Sequence, residues 1–188
     1  MISDAPVSAT PTVRLENRPL TVDEATILHH ELKTTPNILG YSVRELTDFG
    51  TGIVAVVESD SGAAFAGVCL CKDLLWNWSD IAVLYVLPAY RGARISSRLF
   101  AAAFDALQER SRHVFVLSRT PQIIRLMEQR EMKISGSGFA APLAVHIDIN
   151  LHMMNAHRWR EAVRKQKMRR DDGYKFVMGT KKHAPERV

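Results

Sequence analysis

Cysteine is nearly absent from this 188-residue chain, with Cys69 and Cys71 the only two. They stand two apart in what reads as one strand and so share a side. An extended backbone does not bring such a pair to disulfide geometry, and two thiols without companion ligands make a poor metal site. They read as small core residues in a reducing compartment, so a cytoplasmic location and no metal are expected. Long apolar runs are missing too: none approaches the ~20 residues that span a bilayer, and no membrane segment is expected. The opening Met1–Pro11 has neither a basic stretch nor an apolar one, and reads as a flexible leader rather than a secretory signal. No internal repeat and no low-complexity tract occurs. At 46% hydrophobic residues the chain can bury one good core, which predicts one domain.

Acidic residues are scarce at one end. The chain carries 25 Lys and Arg against 20 Asp and Glu, a net charge of +5. From residue 156 onward 11 basic residues face 4 acidic ones, so this segment holds +7 and the remainder −2. The excess of positive charge belongs to the C-terminal segment.

The pattern of apolar residues gives the element order. Thr12 to Leu15 reads as a first strand. Thr21 with Glu24 three residues on forms a capping box for a helix running to Thr34-Thr35-Pro36. Residues 36–50 fit either a short helix or a loop. Ile53–Glu58 and Phe65–Lys72 are strands joined by the turn Ser59-Asp60-Ser61-Gly62. Asp80–Leu87 is a further strand, and Ile95, Leu99, Ala102, Ala103, Ala106 and Leu107 recur at helical spacing behind Arg91-Gly92. His113–Ser118 reads as a strand, and Gln122–Met132 as a helix opened by Thr120 and Pro121. Gly136-Ser-Gly138 marks a loop. His146–His152 alternates as a strand, with His146, Asp148, Asn150 and His152 on one face. Ala156–Arg170 reads as a basic helix.

The densest signal is Leu84-Tyr-Val-Leu-Pro-Ala-Tyr-Arg-Gly-Ala-Arg-Ile-Ser-Ser-Arg-Leu99. A buried strand ends at Pro88, which has no N–H to donate. A basic loop with one glycine then opens into a helix whose first amides are unpaired and sit at the positive end of its dipole. With Arg91 and Arg94 beside them, those amides suit a phosphate or pyrophosphate.

These residues resemble the GNAT superfamily of acetyl-coenzyme A-dependent N-acetyltransferases. Its strand reads roughly L-x-V-x-P-x-Y-R-G, matched by Leu84, Val86, Pro88, Tyr90, Arg91 and Gly92. The following loop pattern, [RQ]-x-x-G-x-[GA], is met at Arg91 but carries Arg94 in place of Gly and Ser96 in place of Gly or Ala. Downstream, Arg125-Leu-Met-Glu-Gln129 resembles the family's R-L-Y-E-K phrase with Met127 at the Tyr that commonly protonates the leaving thiolate, and Thr120 stands where Asn is frequent. The resemblance covers roughly the middle third of the chain. It implies an α/β (α+β) fold with a central mixed β-sheet flanked by helices and a basic C-terminal extension. The expected organisation is a leader at 1–11, a GNAT-like domain at 12–155, and a basic helix and tail at 156–188.

The resemblance also implies a site. Acetyl-CoA would lie along the main chain of Val86 and Leu87, with its pyrophosphate on Arg91, Gly92, Ala93, Arg94, Ile95 and Ser96, and Thr120 nearby. Asp80, where relatives often carry Glu, is the candidate base. Tyr85 is the phenol left to act as acid, and a histidine of the 146–152 row could relay the proton instead. Trp76 and Trp78 could wall an acceptor pocket or pack against the core edge.

Two functions follow. One is N-acetyl transfer from acetyl-CoA to a small-molecule or peptide amine by direct attack. The other is a catalytically degenerate GNAT-like binding module whose basic segment contacts nucleic acid, through 156–170, or an acidic partner. A homodimer stays open, and the sequence does not name the acceptor.

Overall fold

A hydroxyl and a carboxylate that cap one another start the first helix. The structure, a computed structural model, describes residues 12–50, 52–59, 62–136, 141–153, 156–168 and 175–183. Helix α1 (Val22–Thr34) opens at Thr21, whose hydroxyl accepts the Glu24 N–H while the Glu24 carboxylate accepts the Thr21 N–H. Arg18, the last residue of strand β1 (Thr12–Arg18), donates to both Glu24 oxygens at 2.7 Å and fixes strand to helix. Ser42 and Glu45 repeat the capping box to open α2 (Val43–Thr47), so the 36–50 segment contains a short helix.

Strands β2 (Gly52–Ser59), β3 (Gly62–Asp73) and β4 (Trp78–Val86) continue from β1 as an antiparallel meander. Ser59 pairs with Gly62, the register the expected turn would set. β4 pairs in parallel with β5 (His113–Ser118), the chain having crossed one face of the sheet as helix α3 (Ile95–Glu109). Helix α4 (Pro121–Gln129) and strand β6 (Lys133–Gly136) follow, then α5 (Leu143–Met153), α6 (Ala156–Met168) and β7 (Val177–Lys181). The spatial order is β1-β2-β3-β4-β5-β7-β6. This is the central mixed sheet flanked by helices that the sequence led us to expect.

Helices cover both faces. α3 lays Ile95, Leu99, Phe100, Ala103 and Leu107 against Ala55, Cys69, Ile81, Val114 and Val116. On the opposite face α1 and α2 pack Leu28, Leu32 and Leu46 against Val54, Val68, Leu70, Val83 and Tyr85. Phe115 alternates with Val114 and Val116 and so points away from α3. It meets Ala144 and Val145 of α5, together with Trp78 and Met178.

Two expectations change. His146–His152 is not a strand but lies within helix α5. The alternation of Ile147, Ile149 and Leu151 imitates a strand, yet the buried anchors are Ala144 and Val145, and Ile149 and Leu151 are exposed. Pro142, whose carbonyl accepts the Val145 and His146 amides, was the helix-start signal. The second change concerns residues 156–188, expected as an appended helix and tail. β7 comes from this segment and lies inside the sheet, pairing with β5 on one side and β6 on the other. Charge dominated the reading of composition there and hid a five-residue strand. The expected leader at 1–11 lies outside the described residues.

Helix α6 is also less solvated than its charge suggests. Lys165 is fully buried, and its ammonium donates to the carbonyls of Leu32, Lys33 and Thr35 at the end of α1. A cation there satisfies terminal carbonyls and meets the negative end of the helix dipole. Arg164 adds a bond to Lys33 O at 3.1 Å. Replacing Lys165 with Ala leaves these acceptors without their donor, and we expect a loss of about 2–4 kcal/mol in denaturant unfolding. A loss under about 0.5 kcal/mol, the scale of an ordinary surface substitution, would show that the contact does not hold α6 to α1.

Candidate active site

Strands β4 and β5 part company almost as soon as they meet. Only Trp78–Asp80 pair with His113–Phe115, although β4 runs on to Val86 and β5 to Ser118. Ala82 is an extra residue in β4, since Ile81 faces Cys71 while Val83 faces Leu70. A bulge bends its strand, and from this point on β4 no longer pairs with β5. The wedge between them opens into a cleft of about 2100 Å³ whose walls include Ile81, Leu84, Val86, Val116 and Ser118.

At the wide end of the wedge, the strand's main chain divides its work. Leu87 donates its N–H to Ala66 O and accepts the Tyr90 N–H, both at 2.9 Å. Both of its main-chain groups are therefore spent, contrary to the expectation that Leu87 pairs with a pantetheine arm. Alternation along the strand turns the Val86 groups the other way, into the wedge, where Arg91 Nε donates to Val86 O at 3.3 Å.

Beyond Pro88–Tyr90, a single 3-10 turn, the loop takes two left-handed steps: Gly92 at φ +91° and Arg94 at φ +56°. The second is strained for a residue with a side chain, by roughly 1–2 kcal/mol, and explains why this loop position favours glycine. Arg94 is the N-cap of α3 and, among the described residues, makes no side-chain cap; the first turn holds no acidic residue. The amides of Ile95, Ser96 and Ser97 thus open beside Arg91 and Arg94, a donor set suited to an anion. Arg91 through Arg94 are exposed, and all but Ala93 line the cleft. Ser96 Oγ accepts from Gln122 Nε2 at 2.7 Å, tying the starts of α3 and α4 together. Thr120, also at the cleft, donates its N–H to Ser118 Oγ and accepts the Ile123 and Ile124 amides.

Tyr85 is buried on the α1 side. Its hydroxyl donates to Glu31 Oε2 at 2.6 Å and accepts from Arg91 at 3.2 Å, with the guanidinium 5.7 Å from its ring centroid. Burial, then the Glu31 contact, push its pKa up to about 12. A phenol held this way is a weak acid and a firm post for Arg91.

Asp80 sits at the apex of the wedge, partly exposed to the cleft. Burial raises its pKa to about 7; the Asp148 charge adds to the rise and Lys72 opposes it. Lys72 is the cross-strand partner of Asp80 on β3, and its Nζ meets Asp148 Oδ1 of α5 at 2.5 Å. A carboxylate that titrates near neutrality can both take and return a proton.

The remaining candidates separate. His146 lines the cleft with Asp148, and Asn150 donates to His146 O instead; the side chain of His152 lies outside the described residues. Trp78 is buried with its ring 5.1 Å from His113, Trp76 is exposed, and neither lines the cleft. Tyr90 packs on the α3 core. Met127 is fully buried, so close to Gly179 that a Cβ there would stand 2.6 Å from its sulfur. The two cysteines are free, and the Cys71 contact followed by burial holds the Cys69 thiol well above its usual range.

A family model described as "Acetyltransferase (GNAT) family" matches residues 21–130. The chain belongs to this family. No match was found among curated proteins. Among solved structures, this GNAT chain is similar to the Escherichia coli ribosomal-protein-S18-alanine N-acetyltransferase, with a TM-score of 0.56 and 11% identity over 94% of this chain and 99% of that one. A putative acetyltransferase from Salmonella typhimurium, solved with its cofactor acetyl-CoA, gives 0.57 and 12% over 96% and 98%. N-acetylglutamate synthase from Neisseria gonorrhoeae, complexed with coenzyme A and N-acetyl-glutamate, gives 0.52 and 13% over 90% of this chain. This GNAT chain spans only about a third, 35%, of that enzyme. At these identities the likeness is one of fold.

Neither Lys72 nor Glu31 stood out in the sequence, whereas Asp148 did, as one of the polar row His146, Asp148, Asn150 and His152, without its Lys72 partner. Lys72 was within reach, because pairing Asp73 with Ser79 across the Leu74–Trp78 connection sets it opposite Asp80. The helix that carries Asp148 was hidden by the strand-like alternation, and Glu31 has no local signal.

The proton on Asp80 leaves a mark on stability. Its folded pKa, about 7, lies above the 3.8 of a free side chain. Its contribution is therefore complete below about pH 4 and is lost as pH rises through 7. Asp80→Asn should melt a few degrees above the wild type at pH 8, with the gap closing toward pH 4. An unchanged gap across that range would refute the assignment.

Proposed function

We propose that this protein is an N-acetyltransferase that moves an acetyl group from acetyl-CoA to a primary amine by direct attack. The observation that carries the reading is one cleft with an uncapped, arginine-flanked helix N-terminus at one end and Asp80 at the apex of the β4–β5 wedge. When bound, acetyl-CoA supplies an activated thioester and a thiolate leaving group. The fit of this chain to it rests on the donor set: orphan amides at Ile95–Ser97, the guanidinium groups of Arg91 and Arg94, and the bare backbone of Gly92. Val86 offers its main chain to the pantetheine arm, and Thr120 borders the far wall.

Asp80 accepts the proton that an incoming ammonium must shed, directly or through water. Tyr85 keeps its proton and positions Arg91. Met127, buried in the core, supplies no phenol at that position, and the modest basicity of a thiolate near neutral pH lets it leave without one. The catalytic unit extends beyond residue 155, because β7, Lys175 and Phe176 help to build the sheet and the cleft. Acceptors of either class, a small-molecule amine or a peptide, suit this chemistry. The binding-module reading loses ground on two counts. The cleft is intact, and Lys165 is buried on the end of α1 while Arg164 is tied to Glu161 and Lys33 O, rather than both being offered to nucleic acid.

Calorimetric titration of acetyl-CoA into the wild type should give micromolar binding, weakened about 10–100-fold in Arg91→Ala as charge-assisted phosphate contacts are lost. No binding to the wild type would overturn the reading.

A further inference from the structure

Lys72 is a primary amine already inside the acceptor side of the cleft. It belongs to β3, yet its ammonium reaches Asp148 on α5, and α5 rests on Phe115 of β5 and Met178 of β7. Between β3 and β5 runs β4, and the residue of β4 opposite Lys72 is Asp80. The Lys72 side chain therefore bridges across β4 at the candidate base, at the point where β4 and β5 diverge. Neither partner is buried: the two side chains are 32% and 25% exposed. An ammonium held against one carboxylate and next to a second is also how an acceptor amine would be received before it gives up its proton.

We propose that Lys72 is a self-acetylation site, an internal acceptor for the acetyl group carried by acetyl-CoA. The inference rests on the acetyl-CoA reading above. Lys72 Nζ gives a proton to Asp80, and the neutral amine attacks the thioester carbonyl. A C–N bond forms and the C–S bond breaks; the second proton that the nitrogen sheds passes through water to the thiolate, which leaves as coenzyme A. The product amide is neutral. It breaks the Lys72–Asp148 ion pair and removes a positive charge that opposes the rise in the Asp80 pKa. Acetylation of Lys72 therefore changes the charge of the acceptor site that it occupies.

The other amines provide an internal comparison. Lys133 and Lys167 are exposed and stand away from the cleft, so they report nonspecific acetylation by the thioester. The full-length protein, incubated at pH 8 with isotope-labelled acetyl-CoA, is read by intact mass and peptide mapping. Lys72 should gain one acetyl group at least tenfold faster than Lys133 and Lys167, and Lys72→Arg should abolish the fast gain. Asp80→Asn should slow labelling at Lys72 and leave the two exposed lysines unchanged. A second reading needs no turnover: trace labelling with acetic anhydride should be suppressed at Lys72, and not at Lys133, when coenzyme A fills the cleft. If calorimetry shows acetyl-CoA bound while Lys72 labels no faster than Lys133, the self-acetylation proposal falls and the transferase reading stands. If acetyl-CoA does not bind, both fall together.

Discussion

The divergence of β4 from β5 governs the rest of the molecule. A strand's N–H and C=O groups need partners, and those of β4 beyond Asp80 find them on β3 alone. β5 is held away because β7 occupies its other edge along its length, while the Ala82 bulge bends β4 where its pairing with β5 ends. The sheet accepts an interior row of backbone groups without ladder partners, a row shaped to pair with an extended, amide-bearing molecule. Gly67 makes the bend on the β3 side feasible: a Cβ there would stand 2.5 Å from Tyr85 O. Only glycine lets β3 follow β4 so closely.

The wedge has opposite electrical character at its two ends. At the mouth stand uncapped amides and two arginines; at the apex stand Asp80 and Asp148 with Lys72 between. Main chain and apolar side chains such as Ile81, Leu84 and Val86 separate them. An anionic group at one end and an ammonium at the other are each drawn to their own place, which sets the direction in which two substrates can lie. Arg91 is fixed in advance by Tyr85 and Val86 O, so less of its rotamer freedom is lost when it meets an anion. The Tyr85–Glu31 contact makes α1 part of that arrangement, since a phenol anchored to α1 aims a guanidinium at the start of α3.

Legibility in the sequence followed the range of the interactions. Capping at Thr21-Glu24, the pairing of Ser59 with Gly62, the Pro88 stop and the α3 stripe are local, and the structure has each of them. The arginine-flanked loop was legible for the same reason, and the left-handed backbone at Arg94 explains the usual glycine there. Contacts between residues far apart in the chain were not legible. Leu87 looked available because its partner, Ala66, lies one strand away. Tyr85 looked like an acid because Glu31, 54 residues earlier, carries no mark of the contact. Asp148 was assigned to a strand because a period of two in Ile and Leu outweighed Pro142.

The C-terminal segment shows why composition misled most there. β7 is last in sequence yet fills the gap between β5 and β6, so the sheet closes only when the end of the chain arrives. Met178 on β7 forms part of the seat of α5, and α5 carries Asp148 to the ammonium of Lys72. Lys165 on α6 grips the end of α1, next to the loop whose Asn37, Ile38 and Tyr41 border the same cleft. The electrostatics of Asp80, a residue of the middle of the chain, therefore depend on a strand that begins at residue 177. Burial is the larger cause of the rise in the Asp80 pKa and the Asp148 charge adds to it, so the part owed to α5 arises only where β7 seats that helix.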